Sequence, residues 1–175
     1  MSSGLRPRPL RPAASRALWT AAVIGTLHAA WSVYWAFGGT LLLETVGEWA
    51  VEASDTSPVV ASLGLSAVSA IKLAGAWIPL LAETELIPWR GFWRILGWIG
   101  GPFLILYGVT DVVAGSAVLS GLIQVEGTDR TGVLGHTLIW GPHFALWGLA
   151  LTTALALSRG RSSRSLGAQV SELAL

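Results

Sequence analysis

At 175 residues, 53% hydrophobic and only 12% charged, with a mean hydropathy of +0.61, the chain falls well outside the roughly 25% charged composition of soluble domains and has the make-up of a membrane protein. A formal charge of +1, with the basic residues confined to short flanking segments, excludes a nucleic-acid-binding face. The absence of cysteine excludes a disulfide framework, a thiolate nucleophile and a Cys-ligated metal.

Residues 1–16 carry Arg6, Arg8, Arg11 and Arg16 among Pro7, Pro9 and Pro12, and are predicted to be a disordered, basic, cytoplasmic tail. Residues 17–37 contain no formal charge, and their length is close to the roughly 20 residues that cross about 30 Å of hydrocarbon. A basic segment before an apolar run is also the outline of a signal peptide. The length of this run argues against that, as does His28, which a cut after Ala30 would put where a small residue is wanted. His28 is the distinctive polar residue of the span. Trp31 and Trp35 follow at i+3 and i+7 on its helix face, and Gly38-Gly39 ends the run.

In the loop that follows, residues 38–57, Glu44, Glu48 and Glu52 recur every four residues, with Leu42, Val46 and Trp49 on another face. The pattern predicts a short amphipathic helix on the membrane surface, with either a plainly solvated acidic face or a cation-collecting rim. A second span covers about 58–82, with Lys72 as its single charge near the middle. A third covers about 92–120. In it, Gly97-x-x-x-Gly101 offers a small-residue face for close helix packing and for self-association into a homo-oligomer, Pro102 predicts a kink, and Asp111 lies in the outer half. The fourth, about 133–157, is interrupted by Pro142 and carries His136 and His143. These are seven residues apart, hence on one helix face with Trp140 and Trp147, and about 10 Å apart along the axis. A tail, 158–175, holds Arg159, Arg161 and Arg164.

Nine of the eleven Lys and Arg residues fall in the two tails and around the second loop (Arg90, Arg94), whereas the first loop has none and the third only Arg130. The positive-inside rule then places both termini in the cytoplasm. Trp19, Trp77, Trp89 and Trp93 at the inner surface and Trp35, Trp49 and Trp140 near the outer one form the matching aromatic belts. The expected fold is therefore all-α: an integral protein of the plasma membrane, with the lipid bilayer as its partner and four transmembrane helices in an up-down-up-down bundle. The run Tyr34-Trp35-Ala36-Phe37-Gly38-Gly39, the Arg94-to-Asp111 stretch and Trp140-Gly141-Pro142 resemble a bacterial family of small four-helix membrane proteins of unknown function. The resemblance spans roughly 17–157 and implies topology; no catalytic role comes with it.

Polar side chains inside a membrane are expensive and are functional hypotheses by default. By depth, His28 and Lys72 lie near the midplane, Asp111 and His143 in the outer half and His136 near the outer surface, so the five are candidates for one cavity open to the outside, lined by Trp31, Trp35 and Trp140. Beside that stand plainer roles: a structural Lys72–Asp111 ion pair, or a neutral Lys72, and for each histidine a hydrogen bond to a neighbouring helix. His28 and His143 would supply axial ligands to a haem or a metal, although no His-x-x-x-His or Glu-x-x-His pair is present and Lys72 would repel a cation. There is no Gly-x-Ser-x-Gly elbow, no Walker loop and no dinucleotide fingerprint. The residues point first to a non-enzymatic accessory or small-ligand-binding membrane protein. A haem or metal redox protein is the second reading, and a transporter component or lipid-modifying enzyme the third.

Overall fold

In the computed structural model, which describes residues 10–159, every long element is a helix. Helix α1 spans Pro12–Ala36, α2 Glu48–Thr56, α3 Pro58–Glu83, α4 Arg90–Leu119 and α5 Arg130–Leu157. A single 3-10 turn, Leu43–Thr45, precedes α2. The predicted tails lie outside the described residues except for their inner ends. At the first of these, α1 starts inside the expected tail: Pro12 occupies the opening position, where its missing N–H has no helical partner to lose.

Three helices, α3, α4 and α5, are long and apolar enough to cross a membrane. They turn large apolar side chains outward, among them Val59, Leu63 and Ile71 on α3 and Ile95, Ile99 and Phe103 on α4. A contiguous apolar exterior of this kind is suited to lipid and not to water. The first helix has the length but falls short in apolarity, because Arg16, Thr20, Thr26, His28, Ser32 and a series of tryptophans dilute it.

Helices α4 and α5 make the closest pairing. On α4 the buried residues are Gly97, Gly101 and Gly108. A Cβ on Gly97 would come within 2.9 Å of Leu155, one on Gly101 would meet the Thr152 hydroxyl, and one on Gly108 would overlap the Gly141 carbonyl and lie 2.6 Å from the Ala145 amide. Gly115 continues the row against Thr137, and Gly148 returns the fit from α5 against Ile105. The sequence offered Gly97 and Gly101 as a face for a second copy; that face is instead filled by α5 of the same chain.

Helix α1 runs antiparallel along α3. The Ser62 hydroxyl donates to the Ala36 carbonyl at one end, Lys72 and Trp77 reach Ser32 and Thr26 in the middle, and Leu18 and Ala22 pack on Leu80 at the other. Its opposite side meets α5. Helices α3 and α4, although consecutive, make the sparsest pairing of the four and diverge around a groove. They are joined, at the end where α3 leads into α4, by a buried carboxylate. Glu83, fully shielded from solvent, pairs with Arg90 at 2.9 Å and with Arg94, and Arg94 also donates to the Ser158 hydroxyl at 2.8 Å and to the Leu155 carbonyl at 3.2 Å.

The outer loop has one turn fewer of helix than the glutamate spacing predicts. Gly47, at φ +136°, separates the 3-10 turn from α2, so Glu44 leaves the face shared by Glu48 and Glu52; all three are exposed. The loop is pinned through Asp129, whose carboxylate accepts from the Gly132 amide at 2.9 Å as the N-cap of α5, and from the Glu48 amide at 2.8 Å as a cap for α2.

Two predictions follow from this packing. Gly108→Ala should destabilise the bundle by about 1–3 kcal/mol, because the obstruction is backbone that cannot rotate away. Gly100→Ala, on the same helix with open space around it, should be neutral or slightly stabilising; thermal unfolding of both variants in one detergent is the comparison. The amides of Gly132 and then Glu48 hold the Asp129 carboxyl below its ordinary value. A depressed carboxylate stabilises the fold above the unfolded pKa and loses that contribution as pH falls through the folded one. Asp129→Ala should therefore lower stability at neutral pH by about 1 kcal/mol and flatten the loss that the unmodified protein shows below about pH 4.

Candidate functional site

The five polar residues expected to share one cavity separate into two groups. Asp111 and His136 form the outer one: the Asp111 carboxylate lies 3.2 Å from His136 Nδ1, and His136 Nε2 lies 3.2 Å from the Val46 carbonyl. They line a pocket of about 420 Å³ with Trp49 and Asp129, under the outer loop. The partner expected for Asp111 was Lys72. It is His136 instead, and Lys72 donates to the Ser32 hydroxyl at 2.8 Å.

His136 and His143 were expected on one stripe. The residues between them do not keep the α-helical pitch: His136–Trp140 form a π turn directly before Gly141-Pro142. Pro142 has no N–H for the Leu138 carbonyl, and the wider turn takes up the missing rung. The rotation sends His136 toward α4 and the outer loop, whereas His143 faces α1, where its Nε2 meets the Ile24 carbonyl at 2.9 Å.

His28, Lys72 and His143 form the inner group, near mid-bundle. His28 is 3% exposed and enclosed by rings: Phe144 at 4.2 Å between centroids, His143 at 4.9 Å, Trp140 at 5.7 Å and Trp147 at 6.4 Å. The expected hydrogen bond to a neighbouring helix is not made, and neither ring nitrogen meets a partner. Ser32, one turn along α1, carries Lys72, whose ammonium stands 6.0 Å from the centre of the Phe144 ring. At 4.9 Å in an edge-to-face arrangement, His28 and His143 leave no gap for a macrocycle to lie between them as shared axial ligands. The described residues include no group of three His, Asp or Glu placed to hold a metal ion.

Trp31, Trp35 and Trp140, expected to line a cavity, pack on one another at 5.4–6.1 Å between centroids. The Trp35 indole donates to the Leu41 carbonyl at 2.9 Å and that of Trp140 to the Thr45 carbonyl at 3.0 Å. With Leu43 and Ala50 they cap the outer end of the bundle above His28 and line neither the outer pocket nor the groove.

That groove, between α3 and α4, is the feature the sequence reading missed. It measures about 350 Å³, its floor is Phe144, Trp147 and Leu151 of α5, and its walls are apolar except for Lys72. Three glycines, Gly75, Gly97 and Gly100, line it and give it depth. Trp147 is 3% exposed, and its indole N–H has no acceptor. Gly97 touches Leu155 of α5, whereas Gly100, one turn on, has open space beside it.

Residues 25–151 match the model of a family described as "Protein of unknown function (DUF3995)", and the chain belongs to that family. No curated protein and no solved structure is matched by the chain.

A buried imidazole without partners is destabilising by about 1–3 kcal/mol relative to a satisfied one, so the cage should accept an apolar ring. His28→Phe should leave the melting temperature unchanged or raise it. His28→Ala, which empties the ring space, should lower stability by about 2–4 kcal/mol in the same thermal assay.

Proposed function

We propose that this member of the family is a four-span protein of the plasma membrane, with both termini cytoplasmic, that binds a small ligand from the lipid phase and does no chemistry on it. The fourth span is α1, which is too polar to be recognised by composition. Support for its crossing is its antiparallel run along the membrane-length α3, from Ala36 opposite Ser62 to Leu18 against Leu80. Twenty-five residues at about 1.5 Å each reach about 37 Å, enough for the hydrocarbon layer. Thr26, His28 and Ser32 of α1 face α3 and α5, while Trp19, Val23 and Leu27 face out. Orientation is supported by charge. Arg11, Arg16, Arg90, Arg94 and Arg159 gather at one end of the bundle, and Glu44, Glu48, Glu52, Asp55, Glu126 and Asp129 at the other, where Arg130 stands alone.

The observation that carries the binding reading is the groove, open between two consecutive helices whose outer faces are apolar. Its volume is at the low end of the about 300–1,000 Å³ of small-molecule sites, and its lining follows their composition: apolar walls, an aromatic floor and one polar anchor. A nucleophile set with its base is not found around it, so binding is favoured over turnover.

The protein purified in mild detergent should retain a defined lipid-soluble compound at near one-to-one stoichiometry, read by organic extraction and mass spectrometry. Gly100→Phe, which directs a ring into open groove space, should lose that compound while melting as the unmodified protein does. Equal retention by both proteins, or only a bulk-lipid mixture in each, would refute the reading. The absence of natural cysteine makes topology accessible to the same preparation. Single cysteines replacing Glu52 and Glu85 should react with an impermeant maleimide from the outside and only after lysis, respectively.

A further inference from the structure

Resting on that binding reading, we infer that the occupant of the α3–α4 groove is a single-chain amphiphile with a carboxylate head, a free fatty acid, whose head pairs with Lys72. Charge is the first argument. Lys72 lies near the middle of α3, fourteen residues, or about 21 Å, from Pro58. A cation at that depth is tolerated when it is paired. The ion pairs among the described residues are Glu83 with Arg90 and Arg94, and Asp111 with His136; none includes Lys72. Its ammonium has three N–H donors, one of which goes to Ser32, and the ring of Phe144 offers only its face. A carboxylate supplies both the missing charge and acceptors for the remaining donors, in the strongest class of hydrogen bond.

Shape and depth narrow the class. The groove is small and apolar beyond Lys72, which suits one acyl chain along Ile78, Leu96, Leu104 and Leu151 and does not suit two. A phospholipid head, held at the surface by its own hydration, would have to sink to mid-bilayer to reach Lys72. A carboxylic acid crosses that region in its neutral form. Entry is lateral: Ile71 and Phe103, on the two walls, are 71% and 62% exposed, toward the hydrocarbon.

Trp93 and Trp147 line the groove, which allows an optical test. The protein in nanodiscs is titrated with a brominated long-chain fatty acid, its methyl ester and a brominated two-chain phospholipid, with tryptophan quenching as the readout. Saturable quenching by the acid, at least tenfold tighter than by the ester, is expected. Lys72→Met should abolish the preference and Lys72→Arg restore it. Equal binding of acid and ester by the unmodified protein would overturn carboxylate recognition while leaving the groove a binding site. Competition by the phospholipid as effective as by the acid would overturn the single-chain assignment. Quenching that never saturates, and that Gly100→Phe leaves unchanged, would remove the groove reading itself.

Discussion

The approach of α4 to α5 over a row of missing side chains governs the rest of the bundle. Gly97, Gly101, Gly108 and Gly115 bring α4 so near that a single methyl group on Gly108 would collide with backbone. In lipid there is little hydrophobic drive between helices, and close van der Waals packing over small residues is what holds them. The same means ties α1 to α3, through hydroxyls, alanines and one glycine: Ser62 to Ala36, Trp77 to Thr26, Ala22 beside Leu80 and Gly25 against Ala76. Two tight pairs are thus formed, α4–α5 and α1–α3, and α1 against α5 joins them. The remaining side, α3 against α4, has no such stripe. It stays open except where Glu83 clamps Arg90 and Arg94 at the end where α3 leads into α4. The groove is the geometric remainder of where the small residues were placed.

Charge is arranged with equal economy. Of the acids within or at the ends of the long helices, Glu83 is held by two arginines and Asp111 by His136. Removing one member of a buried pair leaves an uncompensated charge, which destabilises far more than the pair itself stabilises. Both sites therefore fix helix ends more than they add net stability. Glu83 ties α3 to α4, and Arg94 extends the tie to the C-terminal end of α5; Asp111 and His136 tie α4 and α5 to the outer loop at Val46. Lys72 is the exception. It sits on the open side, with a hydroxyl and an aromatic face for company.

Helix number and order were legible in the sequence because they depend on quantities that add along a chain: hydropathy and length. The family resemblance, read from the tryptophan-rich run ending at Gly38-Gly39, was legible as well, and the chain belongs to a family of unknown function. What could not be read is rotation. Lys72 and Asp111 were expected to pair, yet which side of its helix each occupies depends on packing with neighbours, and Asp111 is turned to His136 of α5. Pro142 announced an irregularity, but the sequence does not say that it takes the form of a π turn rotating His136 away from His143. Glu83 looked like a loop residue because it follows the last apolar position of α3, and the two arginines that pair with it lie later in the chain. A glycine register was present and only half used: Gly101, Gly108 and Gly115 are spaced by seven, as are Gly141 and Gly148 on the partner helix, the signature of two helices in lengthwise contact.

The outer pocket and the groove differ in a way that bears on which is the working site. The carboxylates and the imidazole facing the outer pocket already have partners: Asp111 has His136, His136 has Val46, and Asp129 has two amides. Its ionisable groups therefore call for no charge from a ligand. The groove is the reverse. Its cation has no counter-charge, its floor holds an indole N–H without an acceptor, and directly behind Phe144 lies an imidazole with both nitrogens unpartnered. Buried polar groups left unsatisfied are destabilising, and they persist where something other than folding requires them. The unpartnered His28 imidazole and Trp147 indole, with Lys72 beside them lacking a counter-charge, gather the unmet chemical demand of this fold around Phe144.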